Sequence, residues 1–324
     1  MEAEKLQILK SILGTPRRTG TEYLFHCPFC KHHKPKFSVN LHRGAKCWVC
    51  DWKTPHIRRV VRRVGSWADL QEWDALTGRV SLDAFESLFG DIDDSEPEPV
   101  IELPEEFVSL ANNNVSLSSL PARRYLLKRG LSKTDFVKWK MGFCVHGEYA
   151  NRVIIPSFNM NGEVNYFIAR AYNDDWMRYK NPPVSRDIVF NELFLDWDSD
   201  LTIVEGAFDA IVAGPNAVPI LGSTLNESSK LFQEIVKHDT PIYLALDPDA
   251  EKKSNRLIAA LMKYDVELYK VDITGYDDVG SMTAEEYQKR KEAAMFMSSD
   301  NYLYYRALTC LLYTSPSPRD RTTS

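Results

Sequence analysis

The 324-residue chain is 44% hydrophobic and 26% charged, a globular balance that argues against a disordered or fibrous protein. No apolar run approaches a membrane span and Met1-Glu2-Ala3-Glu4-Lys5 lacks a signal-peptide pattern, so the chain is expected to be intracellular with no membrane partner, and its cysteines to bind metal rather than pair. The net charge of −5 hides an asymmetry: residues 1–65 carry 14 Lys and Arg against 4 Asp and Glu, while the remainder carries 26 against 41, which points the front of the chain at nucleic acid.

Residues 1–14 predict a short amphipathic helix with Leu6, Ile8, Leu9, Ile12 and Leu13 apolar, stopped by Gly14, Thr15 and Pro16. Cys27-Pro28-Phe29-Cys30 and Cys47-Trp48-Val49-Cys50 then form C-x2-C-x16-C-x2-C, the spacing of a four-cysteine structural zinc site. Each pair makes a tight knuckle that offers two thiolates to one tetrahedral ion. Between them Lys36 to Leu41 alternates like a strand, Gly44 turns, and Ala45 to Val49 returns, which predicts a zinc ribbon. The complete cysteine set leaves His26, His32, His33 and His42 as alternative ligands of second rank. Trp48, Trp52, Arg43, Lys46 and Lys53 read as exposed aromatics among cations, which suits single-stranded DNA. Arg58-Arg59-Val60-Val61-Arg62-Arg63 would form one charged helix face, either a solvated face or a nucleic-acid contact. Residues 66–90 continue a helical pattern through Trp67, Leu70, Trp73, Leu76, Leu82, Phe85 and Leu88. Asp91 to Glu106, acidic and proline-bearing, reads as a flexible linker.

Residues 119–145 predict helices over Ala122 to Arg129 and Ser132 to Lys140, with Ser132 a good N-cap. Arg152 to Pro156 and Val164 to Arg170 form a hairpin-like pair about a polar turn, and Cys144 reads as a small buried residue. Strands at 201–205, 217–221, 242–247 and 266–271 alternate with helices at 207–213, 226–238 and 250–264, which implies a mostly parallel α/β sheet. Glu205 ends the first of these strands, Gly206 turns the chain, and Asp209 in the first helical turn points back to the same mouth. Asp247-Pro248-Asp249 ends a second strand, and Gly222-Ser223 another. Carboxylates gathered at adjacent strand ends repel unless a divalent cation is bound, Mg²⁺ being the natural one. Ala284 to Met297 reads as a charged helix. From Cys310 the wording resembles a translated sequencing adapter, so residues 310–324 are expected to be non-native, with the natural chain continuing differently.

The pairing of E-G-x-x-D (Glu205 to Asp209) with D-x-D (Asp247 to Asp249) resembles the Toprim domain of primases, topoisomerases and some nucleases. Cys27 to Trp52, with Lys36-Phe37-Ser38-Val39-Asn40 and Cys-Trp-Val-Cys, resembles the zinc-binding domain of phage and bacterial primases, and Tyr125 to Leu131 with Met141-Gly142-Phe143 resembles the start of their RNA-polymerase core. The resemblance runs from about residue 20 to about residue 290. It implies an α/β (α+β overall) chain, a small β zinc ribbon followed by a core with a Toprim sheet. The expected parts are a zinc-ribbon template-binding domain (1–65), a helical segment and linker (66–107), the front of the polymerase core (108–200), the Toprim domain (201–285), a helical segment (286–309) and the tail (310–324).

The function implied is a DNA-dependent RNA primase of phage type, working in the cytoplasm (the host's, if phage-encoded) on single-stranded DNA and NTPs beside a replicative helicase. Glu205, Asp209, Asp247, Asp249 and Asp278 would hold Mg²⁺ or Mn²⁺, with Glu205, Asp247 and Asp249 catalytic and Glu205 alternatively the acid/base. Asp278 matches the family's third acidic element, whereas Asp277 stands where a Lys is usual. Arg152, Arg170, Lys180, Asn181, Trp48 and Lys53 would contact nucleotide or template. The rivals are a Toprim nuclease or topoisomerase, a non-catalytic zinc-ribbon DNA-binding replication subunit, and the primase half of a primase–helicase.

Overall fold

The structure, a computed structural model, describes residues 2–54, 56–77, 99–112, 116–222 and 224–314. The expected helical residues Leu82, Phe85 and Leu88, the linker over 91–98, Ser223 and the tail from residue 315 lie outside the described residues. The chain divides into two compact units, Met1–Ser95 and Glu96–Ser324.

In the first unit, helix α1 (Glu2–Leu13) buries Ile8 and Leu9. Five antiparallel strands follow in sequence order: β1 (Arg17–Thr19), β2 (Glu22–Phe25), β3 (Phe37–Asn40), β4 (Gly44–Cys47) and β5 (Lys53–Thr54). The β3–β4 turn needs a left-handed residue, and Gly44 supplies it at φ 103°. The strands β1, β2 and β5 enlarge the two-strand ribbon that the sequence implies. Every residue of β1 is exposed, so it leaves no apolar run to read.

Helices α2 (Ile57–Val64) and α3 (Trp67–Thr77) close the unit. Ile57, Val60, Val61 and Trp73 join Phe25, Phe37, Val39, Cys27 and Cys47 in one core. The segment after residue 65, read from sequence as part of a connection, therefore packs with the ribbon. Arg58 of the expected charged face is bound to α3: its Nε and Nη2 donate to Asp74 Oδ1 and Oδ2 at 2.6 and 2.8 Å.

In the second unit, α4 (Leu120–Lys128) and α5 (Lys133–Lys138) form where expected. Ser132 caps α5 through a reciprocal box with Asp135. The expected second helix runs only to Lys138, because Gly142–Cys144 is strand. The antiparallel sheet β6 (Val108–Ser109), β7 (Gly142–Cys144), β8 (Arg152–Phe158) and β9 (Val164–Ala171) is ordered in sequence.

The second sheet is built from β10 (Leu201–Val204), α6 (Ala207–Ala213), β11 (Ala217–Pro219), α7 (Lys230–His238), β12 (Ile242–Leu244), α8 (Glu251–Lys263) and β13 (Leu268–Lys270). Its order is β11-β10-β12-β13-β14, parallel throughout except for β14 (Met295–Phe296), which pairs antiparallel with β13. The helix expected over Ala284 to Met297 thus ends early, as α9 (Ala284–Glu292). The chain then returns to the sheet edge, where Tyr269 and Phe296 pack at 5.5 Å between ring centroids. Helix α10 (Ser299–Thr314) follows and its backbone enters the segment expected to be non-native. One core runs from α4 and β8 to β13 and α9. No described helix is long and apolar enough to cross a membrane.

Candidate functional site

Two centres stand out, one in each unit. In the first, each knuckle is closed by a left-handed residue, Lys31 at φ 50° after Cys30 and Asp51 at φ 60° after Cys50. Cys27 Sγ lies 3.8 Å from Cys50 Sγ and Cys30 Sγ 3.8 Å from Cys47 Sγ. All four sulfurs lie within 4.8 Å of one another. Zinc–thiolate bonds of about 2.3 Å give a tetrahedron with edges of about 3.8 Å, so the set fits zinc. Burial pushes the Cys27 thiol up to about 12. At Cys47 burial acts the same way, but the Cys50 and Val49 backbone N–H groups and neighbouring thiols outweigh it and bring the thiol down to about 7. A cation replaces this uneven sharing of protons by four thiolates. The histidines stay outside the set: His42 bonds Glu2 at 2.7 Å, and His26 faces the His32 carbonyl.

The ribbon's aromatics divide. Trp48 is 63% exposed, with Lys46 Nζ 4.7 Å from its ring centroid. Lys53 is exposed and directly opposite Lys46 across the β4–β5 pair. Trp52 does not belong to that surface: it stacks on Phe29 at 4.1 Å and leans on Phe37, supporting the knuckles from within.

In the second unit the acids collect where parallel strands end. All of Leu201–Val204 is buried, so Glu205 emerges at the carboxyl end of β10. Asp247 follows β12, the neighbouring parallel strand, and Pro248 opens a short 3₁₀ turn that carries the exposed Asp249. Glu205 Oε1 and Asp247 Oδ1 are buried without a hydrogen-bond partner. Burial drives the Asp247 carboxyl up to about 7, and the charges of Asp209, Glu205, Asp278 and Asp249 push the same way. Two orphaned carboxylate oxygens in a field of five acids are what a hard divalent cation satisfies, so the donor set fits Mg²⁺. The acids do not close as tightly as the thiols: among the described residues only the cysteines bring three or more ligand atoms within 4.8 Å of one another.

Asp209 stands at the same mouth, within reach of the charges of Glu205, Asp247 and Asp278, and it also holds backbone. Its Oδ2 accepts from Gly206 N at 2.8 Å and its Oδ1 from Gly280 N at 2.7 Å. Each oxygen holds one backbone N–H and keeps a lone pair for a cation, and the two bonds form a clasp that fastens the loop bearing Asp278 to α6. Burial raises its carboxyl to about 6, against the pull of those N–H groups. Asp278 is half-buried beside it, and Asp277 is exposed.

Two cations reach the acids that the sequence reading passed over. Lys253 Nζ lies 3.8 Å from Glu205 Oε2, and the buried Lys270 Nζ 3.9 Å from Glu251 Oε1. Burial depresses the Lys270 ammonium, and the charges of Glu251, Asp272, Asp247 and Glu205 oppose that. The sequence singles out neither residue; the only signal is their place in elements that border the mouth.

Of the expected basic contacts in the second unit, Arg170 is half-buried. Its guanidinium lies 4.5 Å over the Tyr179 ring, and Nε donates to Tyr125 Oη at 3.0 Å. Arg129 Nε donates to the same phenol at 2.8 Å and stacks over Phe208 of α6 at 4.6 Å. Two guanidiniums on one tyrosine therefore wall the helix that carries Asp209. Lys180 pairs with Glu148 at 3.2 Å. Asn181 is turned to the sheet, its Oδ1 accepting from Ala169 N at 3.1 Å. Arg152 is 5% exposed and bound to Asp175 at 2.7 Å, so it is a strut and not a contact surface. Cys144 is buried with its thiol pushed up to about 12 by burial, an inert packing residue.

No protein-family model matches the chain. It is similar to the DNA primase of Clostridium acetobutylicum, 22% identical over 317 residues, covering 79% of this chain and 51% of that protein. A DNA primase of Thermotoga maritima is also 22% identical, over 343 residues, covering 89% of this chain and 58% of the relative. The chain thus spans a little over half the length of the curated relatives it matches. Among solved structures, the zinc-binding and RNA-polymerase domains of the Aquifex aeolicus primase align at 19% identity and a TM-score of 0.46, over 91% of this chain and 84% of that one. The catalytic core of the E. coli primase aligns at 18% identity and 0.47, over 58% and 77%. Over most of its length the chain resembles bacterial DNA primases, with a zinc-ribbon cysteine set ahead of an α/β core.

Proposed function

We propose that the chain is a DNA-dependent RNA primase, and the observation that carries this is the pair of buried, unpartnered carboxylate oxygens of Glu205 and Asp247 on neighbouring parallel strand ends. The 3′-hydroxyl of one nucleotide would attack the α-phosphorus of the next; the new P–O bond forms as the bond to pyrophosphate breaks, and the hydroxyl proton leaves to Glu205 or water. Glu205, Asp247, Asp249 and Asp278 would hold two Mg²⁺ ions, which when bound acidify the attacking hydroxyl and neutralise the leaving group. Asp209 keeps the Asp278 loop seated. Arg129 and Arg170 would receive phosphates, and Trp48, Lys46 and Lys53 would meet the template from the ribbon. By the same reading the chain acts in the cytoplasm on single-stranded DNA and NTPs, next to a replicative helicase.

The test is primer synthesis on single-stranded DNA of varied sequence with labelled NTPs and Mg²⁺. Short template-dependent RNA that disappears with Asp247→Ala is the expected result. Cut or relinked template without RNA would move the chain to a nuclease or topoisomerase. Binding without reaction would leave a DNA-binding replication subunit.

A further inference from the structure

The loop after β9 holds one side chain in solvent at evident cost. Trp176 is 86% exposed, the most exposed large apolar side chain among the described residues. The residues on either side of it are pinned by one buried guanidinium: Arg152 Nη2 donates to Asp175 Oδ2 at 2.7 Å and to the Met177 carbonyl at 3.0 Å. Its Nη1 donates to the Ala150 carbonyl at 2.9 Å. Met177 N donates back to Asp175 Oδ1 at 2.9 Å. Ala171 N to Arg178 O at 3.0 Å and Lys180 N to Ala169 O at 3.0 Å tie the returning arm to β9. Burying an ion pair is costly, and leaving an indole wet forgoes its burial. The outcome is a loop whose backbone is tied on both sides of one exposed, flat aromatic ring.

We propose that Trp176 is a stacking platform for an unpaired base of single-stranded nucleic acid. An exposed indole on a pinned backbone has only its own two side-chain torsions left to order when it stacks on another flat π-system. The surroundings favour a strand over a protein partner. Arg178, two residues on, is exposed, and the loop ends at Tyr179 under Arg170, where the guanidinium wall with Arg129 begins. A base on Trp176 and phosphates along that wall are successive parts of one strand. A base inside a duplex offers no free face, so the platform selects single strands.

This inference rests on the primase reading of the neighbouring acid centre, and the experiment separates the two. The full chain is titrated, without Mg²⁺ or NTPs, against a fluorescent short oligothymidylate and against an abasic oligomer of the same length. Trp176→Ala is expected to weaken binding of the oligothymidylate roughly 5- to 150-fold, the range one lost base stack spans, with Trp176→Phe restoring most of it. On the abasic strand wild type and Trp176→Ala are expected to bind alike. Equal binding of wild type and Trp176→Ala to the oligothymidylate would overturn the platform, as a protein-docking loop would give. A deficit that persists on the abasic strand would overturn it too, because the loop would then be serving phosphates. Base-dependent binding through Trp176 in a chain that makes no RNA would sustain the platform and remove the primase reading.

Discussion

The charge that governs the acid centre at the level of single residues is Asp247. An aspartate in an unfolded chain titrates near about 3.9, whereas burial and four neighbouring acids hold this one at about 7. Between those values the folded chain binds the extra proton, so its stability must fall as pH rises through the window and stay reduced above it. Asp247→Asn removes the effect. The melting temperature of metal-free wild type, measured against that variant, is expected to drop from pH 5 to pH 8, and Mg²⁺ at pH 8 to recover much of the difference. A gap independent of pH would contradict it. Asp209 predicts differently. Asp209→Ala strands the Gly206 and Gly280 N–H groups, each bond to a charged acceptor being worth about 1.5–3 kcal/mol, and urea unfolding should register the loss. The strand-end acids were legible because Glu205 and Asp247 each terminate an apolar run. The backbone bonds of Asp209 and the buried ion pair of Arg152 were not: a sequence shows a charge but not which groups fold against it.

Among the elements, the parallel sheet was the most readable because its strands are covered on both faces and appear as unbroken apolar runs. The edges were least readable. β1 has no buried residue and β14 is two residues long, so neither leaves a pattern. The α2–α3 pair carries its own prediction. Asp74 is 6% exposed and bidentate to Arg58, so Asp74→Ala leaves a half-buried guanidinium without its anion and should destabilise the first unit by about 3–5 kcal/mol, read by chemical denaturation. The loop behind Asp278 carries another. A Cβ on Gly280 would sit 2.8 Å from Asp209 Oδ1, so Gly280→Ala must push the loop off α6. Primer synthesis is expected to fall roughly a hundredfold, the cost of misplacing a reacting group by about 1 Å, with the circular dichroism spectrum unchanged.

On the scale of the whole molecule the two units have separate cores, and zinc belongs to one of them. Chelation, or Cys47→Ser, is therefore expected to open the first unit to proteolysis while the second keeps its hydrogen-exchange protection; joint unfolding would contradict the division. The division at Ser95/Glu96 falls within the acidic, proline-bearing stretch that composition marks, whereas the membership of α3 in the first unit was not legible, because only its packing against the ribbon's helices through Trp73 and Asp74 shows it. The clasp between Asp209 and Gly280 joins residues 71 positions apart in the chain. The segment between them includes β12, α8 and β13, whose packing offsets the entropy of closing so long a loop. The acid centre is thus complete only in a chain synthesised past residue 280. A chain cut short before Gly280 would carry Glu205, Asp209 and Asp247 and still lack the clasp.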